Sequence, residues 1–517
     1  MERIINFLNK LEIWFFYGFL LTFTLSIRKV LFFYPIREQF NEYTGIYIYL
    51  SDIFLLFVLI ITGLSILYNK ILSKSRSNPY FVAYLKQKVV IIPLLLVIFS
   101  FISAFWSDNW QVAIFRSIKL LEFYLLYLWV IFRLFHACLI ATNCSTPAPL
   151  QENVPRGTFS LLLGWNTIKK NLFLIIISIG IAQSFIGIWQ FIVQKSIGLI
   201  WLKESIISSD ISGVAKIVLN GEKYIRSYGL FPHPNILGGF LVLSIILTVL
   251  YFKVFHPSQI VPRGTIDGAS VEQLTGQAWN NSMYYSVLGI QLLTLVLTFS
   301  KSAWIGLIIA VLYLWYKNVP PQYKCSTWNI LRGRRGTFLK FVARKLKYFG
   351  LIVSIIFLLI FIIRPNWYSI IGKSIEDRMF YLNVSRGTFL ENPVIGVGIG
   401  QYVYQLANVS GIQNWQFQPV HNVFLLILNE LGIIGLILFV WFIWEVAKNF
   451  PYRKFPEDKL HLTLKSLFFG FLFIMLFDHY FWDIQQGQII FWLILGLIIG
   501  SKVWISNKTN AYPQDKA

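Results

Sequence analysis

Residues 235–252 read NILGGFLVLSIILTVLYF. The run carries no charge, and ~20 apolar residues in a helix reach across the roughly 30 Å hydrocarbon core of a bilayer. Its entrance is of another kind. Residues 223–234, KYIRSYGLFPHP, place Arg226 and His233 at the lip. Pro232 and Pro234 are expected to set the turn into the span, with Asn235 as its helix cap. Similar apolar runs recur at about 11–33, 47–68, 88–105, 112–135, 171–193, 283–299, 301–317, 347–364, 421–446, 464–482 and 487–505. With 235–254 they predict an all-α, polytopic integral membrane protein of about twelve transmembrane helices, a single transmembrane domain over 1–517.

The composition agrees. The 517 residues are 56% hydrophobic and 13% charged, where a soluble chain carries about a quarter charged residues. Mean hydropathy is +0.63. Aromatics make up 18%, as suits side chains that favour membrane interfaces. The +22 net charge does not call for nucleic acid, because the basic residues cluster in short segments between apolar runs. The three cysteines, Cys138, Cys144 and Cys325, have no metal-ligand spacing, and an odd number does not make a disulfide framework. Residues 1–25, with no small-residue cleavage site after LEIWFFYGFLLTFTL, read as an uncleaved first span.

Lys and Arg set the expected orientation. Basic segments at 69–88, 317–347 and 448–465, and SKVWISNKTN near the C-terminus, all fall on one side if the N-terminus is cytoplasmic. Both termini are then inside. External segments fall at about 34–46, 106–111, 194–234, 300–302, 365–420 and 483–486. Two are long: 194–234, and 365–420 between the ninth and tenth helices. The cysteines fall inside, where thiols stay reduced. NVPRGTF (153–159), VPRGT (261–265) and CSTWN (325–329) can be written as two reading frames of one palindromic DNA repeat, so Arg156 and Arg263 are discounted as functional residues.

The polar residues that this topology gathers on the external face are the chemical candidates, since charge near bilayer depth is costly. They are Arg226; Lys301 in the turn LTFSKSAWIGL; Arg378 in SIEDRMFYL; and His421 in PVHNVFLLILNELGIIGL, with Glu430 nine residues on. LFDHYFWDIQQGQ adds Asp478, His479 and Asp483, with a structural pairing of Asp478 and His479 as the plain alternative. Cations suit an anionic, lipid-linked substrate: Arg clamps phosphate oxygens with a planar fork and Lys adds a point charge. A histidine can take a proton from an attacking hydroxyl. Gly396, Gly398 and Gly400 in NPVIGVGIGQY would let backbone approach a ligand or turn tightly. No Walker loop is present, and GVGIG lacks the dinucleotide-binding spacing. No cofactor is expected, and the energy must arrive in the substrate.

Four passages in order, RSYGLFPHPNILGGFL, LTFSKSAWIGL, the stretch from Asp377-Arg378 to ENPVIGVGIGQY, and HNVFLLILNELGIIGLI, resemble the O-antigen ligase and polysaccharide polymerase superfamily over about 224–440. The resemblance implies a metal-independent glycosyltransferase of the C-type membrane architecture in the bacterial cytoplasmic (inner) membrane. Its donor would be a glycan on undecaprenyl diphosphate at the periplasmic or outer face, and its acceptor lipid A core, another glycan or a protein. Membrane lipids would surround it and no nucleic acid would take part. Carried over residue by residue, Arg226, Lys301 and Arg378 would bind the diphosphate, and His421 would activate the acceptor hydroxyl or hold the leaving group. Arg378 and His421 are then the catalytic pair. Asn235, Gly396, Gly398, Asn422 and Glu430 would support them. Lys301 stands where the family usually has arginine, which keeps the charge and loses the bidentate fork. Ligase and polymerase share the donor chemistry. A lipid-linked glycan transporter is the rival of another class, and it would need cations along a path into the cytoplasmic half.

Overall fold

The structure, a computed structural model, describes residues 2–73, 85–135, 156–219, 221–255, 269–318, 367–449 and 459–511. It is mostly helical. The long helices are α1 (Glu2–Thr22), α2 (Leu50–Ser73), α3 (Lys88–Ile102), α4 (Trp110–Phe135), α5 (Arg156–Val193), α6 (Pro234–Phe255), α7 (Ala269–Leu297), α8 (Lys301–Asn318), α9 (Trp367–Glu391), α10 (Val423–Lys448), α11 (Lys459–Met475) and α12 (Gln485–Ala511). Among the described residues, 6 helices are long and apolar enough to cross a membrane by length and composition. A helix lies in each apolar run read from the sequence except 347–364, which falls outside the described residues. So do the three cysteines, the basic segment at 319–347 and the VPRGT and CSTWN stretches. In NVPRGTF, only the part from Arg156 falls within a described helix, the start of α5.

Three of the differences from the sequence reading bear on the site. The first apolar run does not stay helical to residue 33. Helix α1 stops at Thr22, and RKVLFF forms β1 (Arg28–Phe33), antiparallel to β2 (Gly45–Tyr49) with Arg28 opposite Tyr49. β-Branched and aromatic residues suit a strand as well as a span. Arg28 clamps this hairpin, with its guanidinium 4.4 Å from the Tyr47 ring centre and Nη1 donating to Tyr49 Oη at 3.0 Å. The run at 464–482 is broken: α11 ends at Met475, a non-helical link follows, and Tyr480–Asp483 makes one separate turn. The region 365–420, expected from the sequence to be a long external loop, contains a helix, since α9 occupies its first half.

The helices pack side by side. Helix α1 lies on α2, α5 on α6 and α7, α8 on α11, α3 on α10, and α4 on α12. Helix α6 is enclosed from several sides, which explains why its GGFLVLSIILTVL stretch is apolar all round. Two sets of charges inside the bundle are paired, which offsets their cost in a low-dielectric setting. Glu12 of α1 accepts from Thr62 of α2 at 2.7 Å and from Trp129 and Arg133 of α4 at 2.6 and 2.9 Å. Lys119 of α4 sits between Asp52 at 2.5 Å and Glu122 at 2.8 Å.

Helix α10 contains the one sharp kink that matters for the site. Gly432 has φ +64 and ψ −167, a conformation nearly confined to glycine. The freed backbone is taken up by the segment Pro393–Gly398. Val397 N donates to Asn429 O at 3.0 Å, Gly398 N to Glu430 O at 2.8 Å, and Ile433 N to Pro393 O at 2.9 Å. A Cβ on Gly396 would stand 2.5 Å from the Glu430 carbonyl, and one on Gly432 would stand 2.2 Å from Val394 O. The glycines of PVIGVG and ELG therefore answer each other: two backbones cross where no side chain fits.

Candidate active site

At one end of the bundle, the inter-helix segments enclose a cavity of about 1660 Å³. Its wall includes Arg226, His233, Lys301, Arg378, His421 and His479. The four residues to which the sequence reading gave the main roles, Arg226, Lys301, Arg378 and His421, thus share one space.

Arg226 leaves the β3–β4 hairpin (Lys216–Leu219 and Glu222–Ile225) and is fixed by its surroundings. Its Nε donates to Thr298 O at 2.6 Å, and Nη2 donates to Asn235 Oδ1 at 2.5 Å. Burial pushes the guanidinium down to about 10, with Tyr228 and Asp478 acting in the opposite sense; it remains charged at neutral pH. Asn235 is not the helix cap that the sequence suggested. It lies within the first turn of α6, where its side chain bridges Arg226 and Asp478, donating to Asp478 Oδ2 at 2.9 Å. The capping falls to His233: Asn235 N donates to its Nδ1 at 3.2 Å, and its carbonyl accepts from Ile236 and Leu237. Burial, followed by Arg226 and His479, holds His233 well below the ordinary histidine range.

The turn between α7 and α8 carries Phe299 at φ +48, with its ring stacked on Phe191 at 6.2 Å. This turn aims the Thr298 carbonyl at Arg226 and sets Lys301 on the cavity wall. Arg378 comes from α9. Its Nη2 donates to Phe477 O at 3.2 Å, and the guanidinium lies 5.4 Å from the Phe477 ring centre.

His421 stands just before α10. Asn422 is that helix's cap, accepting from Leu425 N at 3.0 Å, and it also donates to Leu476 O at 3.0 Å. Asn422 therefore ties the start of α10 to the break after α11, which brings His421 onto His479. The two imidazoles stack with centres 5.1 Å apart and planes 8° from parallel. His421 Nδ1 is buried without a hydrogen-bond partner. Burial, then the charges of His479 and Arg378 and the nearby His233, hold His421 well below the ordinary range. His479 goes the other way. Burial opposes its charge, but Asp483, bonded to Nδ1 at 2.9 Å, and then Asp478 raise it above the ordinary value.

The pairing of Asp478 with His479 does not occur. Asp478 accepts from Asn235 and Ser302, and His479 pairs with Asp483. The i, i+4 spacing of His479 and Asp483 is the signal that sequence reading passed over. Glu430, Gly396 and Gly398 do not line the cavity. Glu430 accepts from Trp482 Nε1 at 2.8 Å, inside the bundle, and the glycines serve the α10 kink rather than a ligand.

His421, Asp478 and His479 have ligand-type atoms within 4.8 Å of one another. The cations Arg226, Lys301 and Arg378 share the cavity with this set. Asp478 Oδ2 is already shared by two donors and His479 Nδ1 is committed to Asp483. The charges of Arg226 and Arg378 also act on Asp478.

Residues 286–440 match the family model described as O-antigen ligase. This match supports placing the chain in the O-antigen ligase superfamily. The stretch runs from α7 through α8 and α9 to the middle of α10, and so contains Lys301, Arg378, His421 and Glu430, with Arg226 and His479 outside it. Ligase or polymerase activity of the glycosyltransferase kind goes with that family. No curated protein matches the chain.

Proposed function

We propose that this protein transfers a glycan from a polyprenyl diphosphate, of the undecaprenyl type, to an acceptor hydroxyl at the outer face of the cytoplasmic membrane, as a ligase or a polymerase. The observation that carries this reading is the convergence of Arg226, Lys301, Arg378 and His421 on one cavity. The three cations would hold the diphosphate and tighten on it as the glycosidic C–O bond breaks and charge builds on the leaving oxygen. Stabilisation of that kind, stronger in the transition state than in the ground state, raises the rate. His421 would accept the proton of the attacking hydroxyl while its oxygen bonds to the anomeric carbon, and the bonding pair of the old link would depart with the diphosphate. Attack opposite the leaving group inverts the anomeric centre.

The test is glycan transfer by the purified protein in liposomes supplied with a lipid-linked oligosaccharide. His421→Ala and Arg378→Ala should each abolish transfer while the protein still inserts and elutes as the wild type does. A chelator should leave the wild-type rate unchanged. Full activity in either variant rejects the assignment.

A further inference from the structure

We propose that Asp483 fixes the single proton of a stacked histidine pair on His479, leaving His421 neutral as the base for the acceptor hydroxyl. The inference rests on the glycosyl-transfer reading above and adds His479 and Asp483 to it as positioning residues.

The geometry comes first. Both carboxylate oxygens of Asp483 lie 2.9 Å from His479 Nδ1. That ring nitrogen therefore carries hydrogen, and any positive charge on the ring meets the carboxylate directly. The His421 ring is stacked on the other at 5.1 Å. Two imidazolium ions at that distance repel strongly, so the pair titrates as a unit and holds one proton in excess over a wide pH range. His421 Nδ1 has no partner of its own to hold such a proton.

The other charged and titratable groups do not reverse the allocation. Arg378, from α9, and His233, before α6, act against a charge on His421, as His479 does. Asp478 and Glu42 favour a charge on His479. Asp478 is also engaged by Asn235 and Ser302. Tyr43 and Tyr381 offer ring contacts, at 5.9 Å to His479 and 5.7 Å to His421. Arg226 and Lys301 are further cations on the same wall, so they too disfavour a second proton. Asp483 itself is steadied from α4, where Arg116 donates to its backbone carbonyl at 2.7 Å.

The consequence for the reaction is directional. A neutral His421 takes the hydroxyl proton as the new C–O bond forms. The pair then holds two protons side by side, and repulsion by His479 drives the second one off, to the departing diphosphate or to water. The base is reset for the next turnover.

The proposal is tested with Asp483→Asn, His479→Gln and His479→Lys in the full-length protein. Two readouts are used. One is the pH profile of transfer. Removing the carboxylate or the ring should move its acid limb upward, toward the ordinary histidine value of about 6.5, whatever the height of the plateau. His479→Lys restores a cation beside His421 and should leave the limb near its wild-type position. A role in folding alone would lower the whole profile without moving the limb, and that result overturns the proposal.

The second readout does not depend on activity. Diethyl pyrocarbonate modifies neutral imidazole, and mass spectrometry maps the sites. At pH 6 the wild type should be modified at His421 and spared at His479, and both Asp483→Asn and His479→Gln should reduce labelling at His421. Faster labelling of His479 than of His421 overturns the allocation. A wild-type protein that transfers no glycan yet shows the expected labelling would reject the glycosyl-transfer reading and keep the histidine pair.

Discussion

Arg226 has Nε and Nη2 committed to Thr298 O and Asn235 Oδ1, which leaves its planar group rigid at the cavity wall. Rigidity is what a phosphate clamp needs, because little conformational freedom is then lost on binding. The same contacts explain why lysine should fail here. An ammonium cannot bridge the Thr298 carbonyl and the Asn235 side chain in one plane, and enclosure disfavours its charge more readily than that of a guanidinium. Losing one hydrogen bond to a charged group costs about 1.5–3 kcal/mol. Arg226→Lys should thus lower kcat/KM for the lipid-linked donor by roughly 10- to 100-fold, measured with saturating acceptor. A rate within twofold of wild type would show that Arg226 does not touch the donor. Lys301 is the informative contrast. It starts α8 after a strained turn, and among the described residues no side-chain hydrogen bond holds it. The charge at such lips was legible from the sequence, because a cation beside an uncharged run is conspicuous. The partners were not: nothing local in FPHPN indicates that Asn235 turns toward Arg226 and Asp478 rather than capping its own helix.

At the scale of the element, the kink in α10 makes the site possible. Gly432 breaks the helix, and residues 393–398 supply the hydrogen bonds that the break leaves open. The crossing fixes the segment that follows α9 against α10, below the point where Asn422 caps the helix and His421 leaves it. A β-carbon at position 432 meets Val394 O at 2.2 Å, in a backbone region that costs about 1–3 kcal/mol for any other residue before the clash is added. Gly432→Ala should therefore lower the melting temperature in detergent and reduce transfer, whereas Gly387→Ala, on α9 with open space around its α-carbon, should do neither. Equal melting of the two variants would refute the role given to the crossing. The glycines of PVIGVG stood out in the sequence, but their purpose did not. A glycine that admits a ligand and one that admits another backbone look alike until the other backbone of the crossing, at Glu430–Gly432, is placed beside it. Likewise RKVLFF and the aromatic stretch LFDHYFW are apolar enough to pass for membrane span. Hydropathy reports burial and does not distinguish strand, turn and helix where aromatic residues serve all three.

For the whole molecule, the strongest regularity is alternation. The C-terminal ends of α1, α5, α7 and α11 and the N-terminal ends of α2, α6, α8, α10 and α12 lead into the segments that surround the cavity. Long-range bonds join these segments: Ser26 to Leu230 O, Asn41 to Phe417 O, Arg37 to Ile412 O, and Arg116 to Tyr43 O and Asp483 O. The basic segments at 69–88 and 448–465 flank the opposite ends of α2, α3, α10 and α11. A bundle whose basic segments adjoin one set of helix ends in the sequence, with the cavity at the other, is expected to sit with the basic end toward the cytoplasm. The orientation decides the energetics of the proposed reaction. A site facing outward has no nucleotide supply, and the diphosphate link of the donor must then carry the driving force. Residue labelling tests this directly. Ser212, exposed on the rim of the cavity, replaced by cysteine should react with a membrane-impermeant maleimide in intact spheroplasts. The natural Cys138, Cys144 and Cys325 should react only after the membrane is permeabilised. The reverse pattern would turn the site to the cytoplasm, where nucleotide sugars become available donors, and would remove the reason for a lipid-linked one.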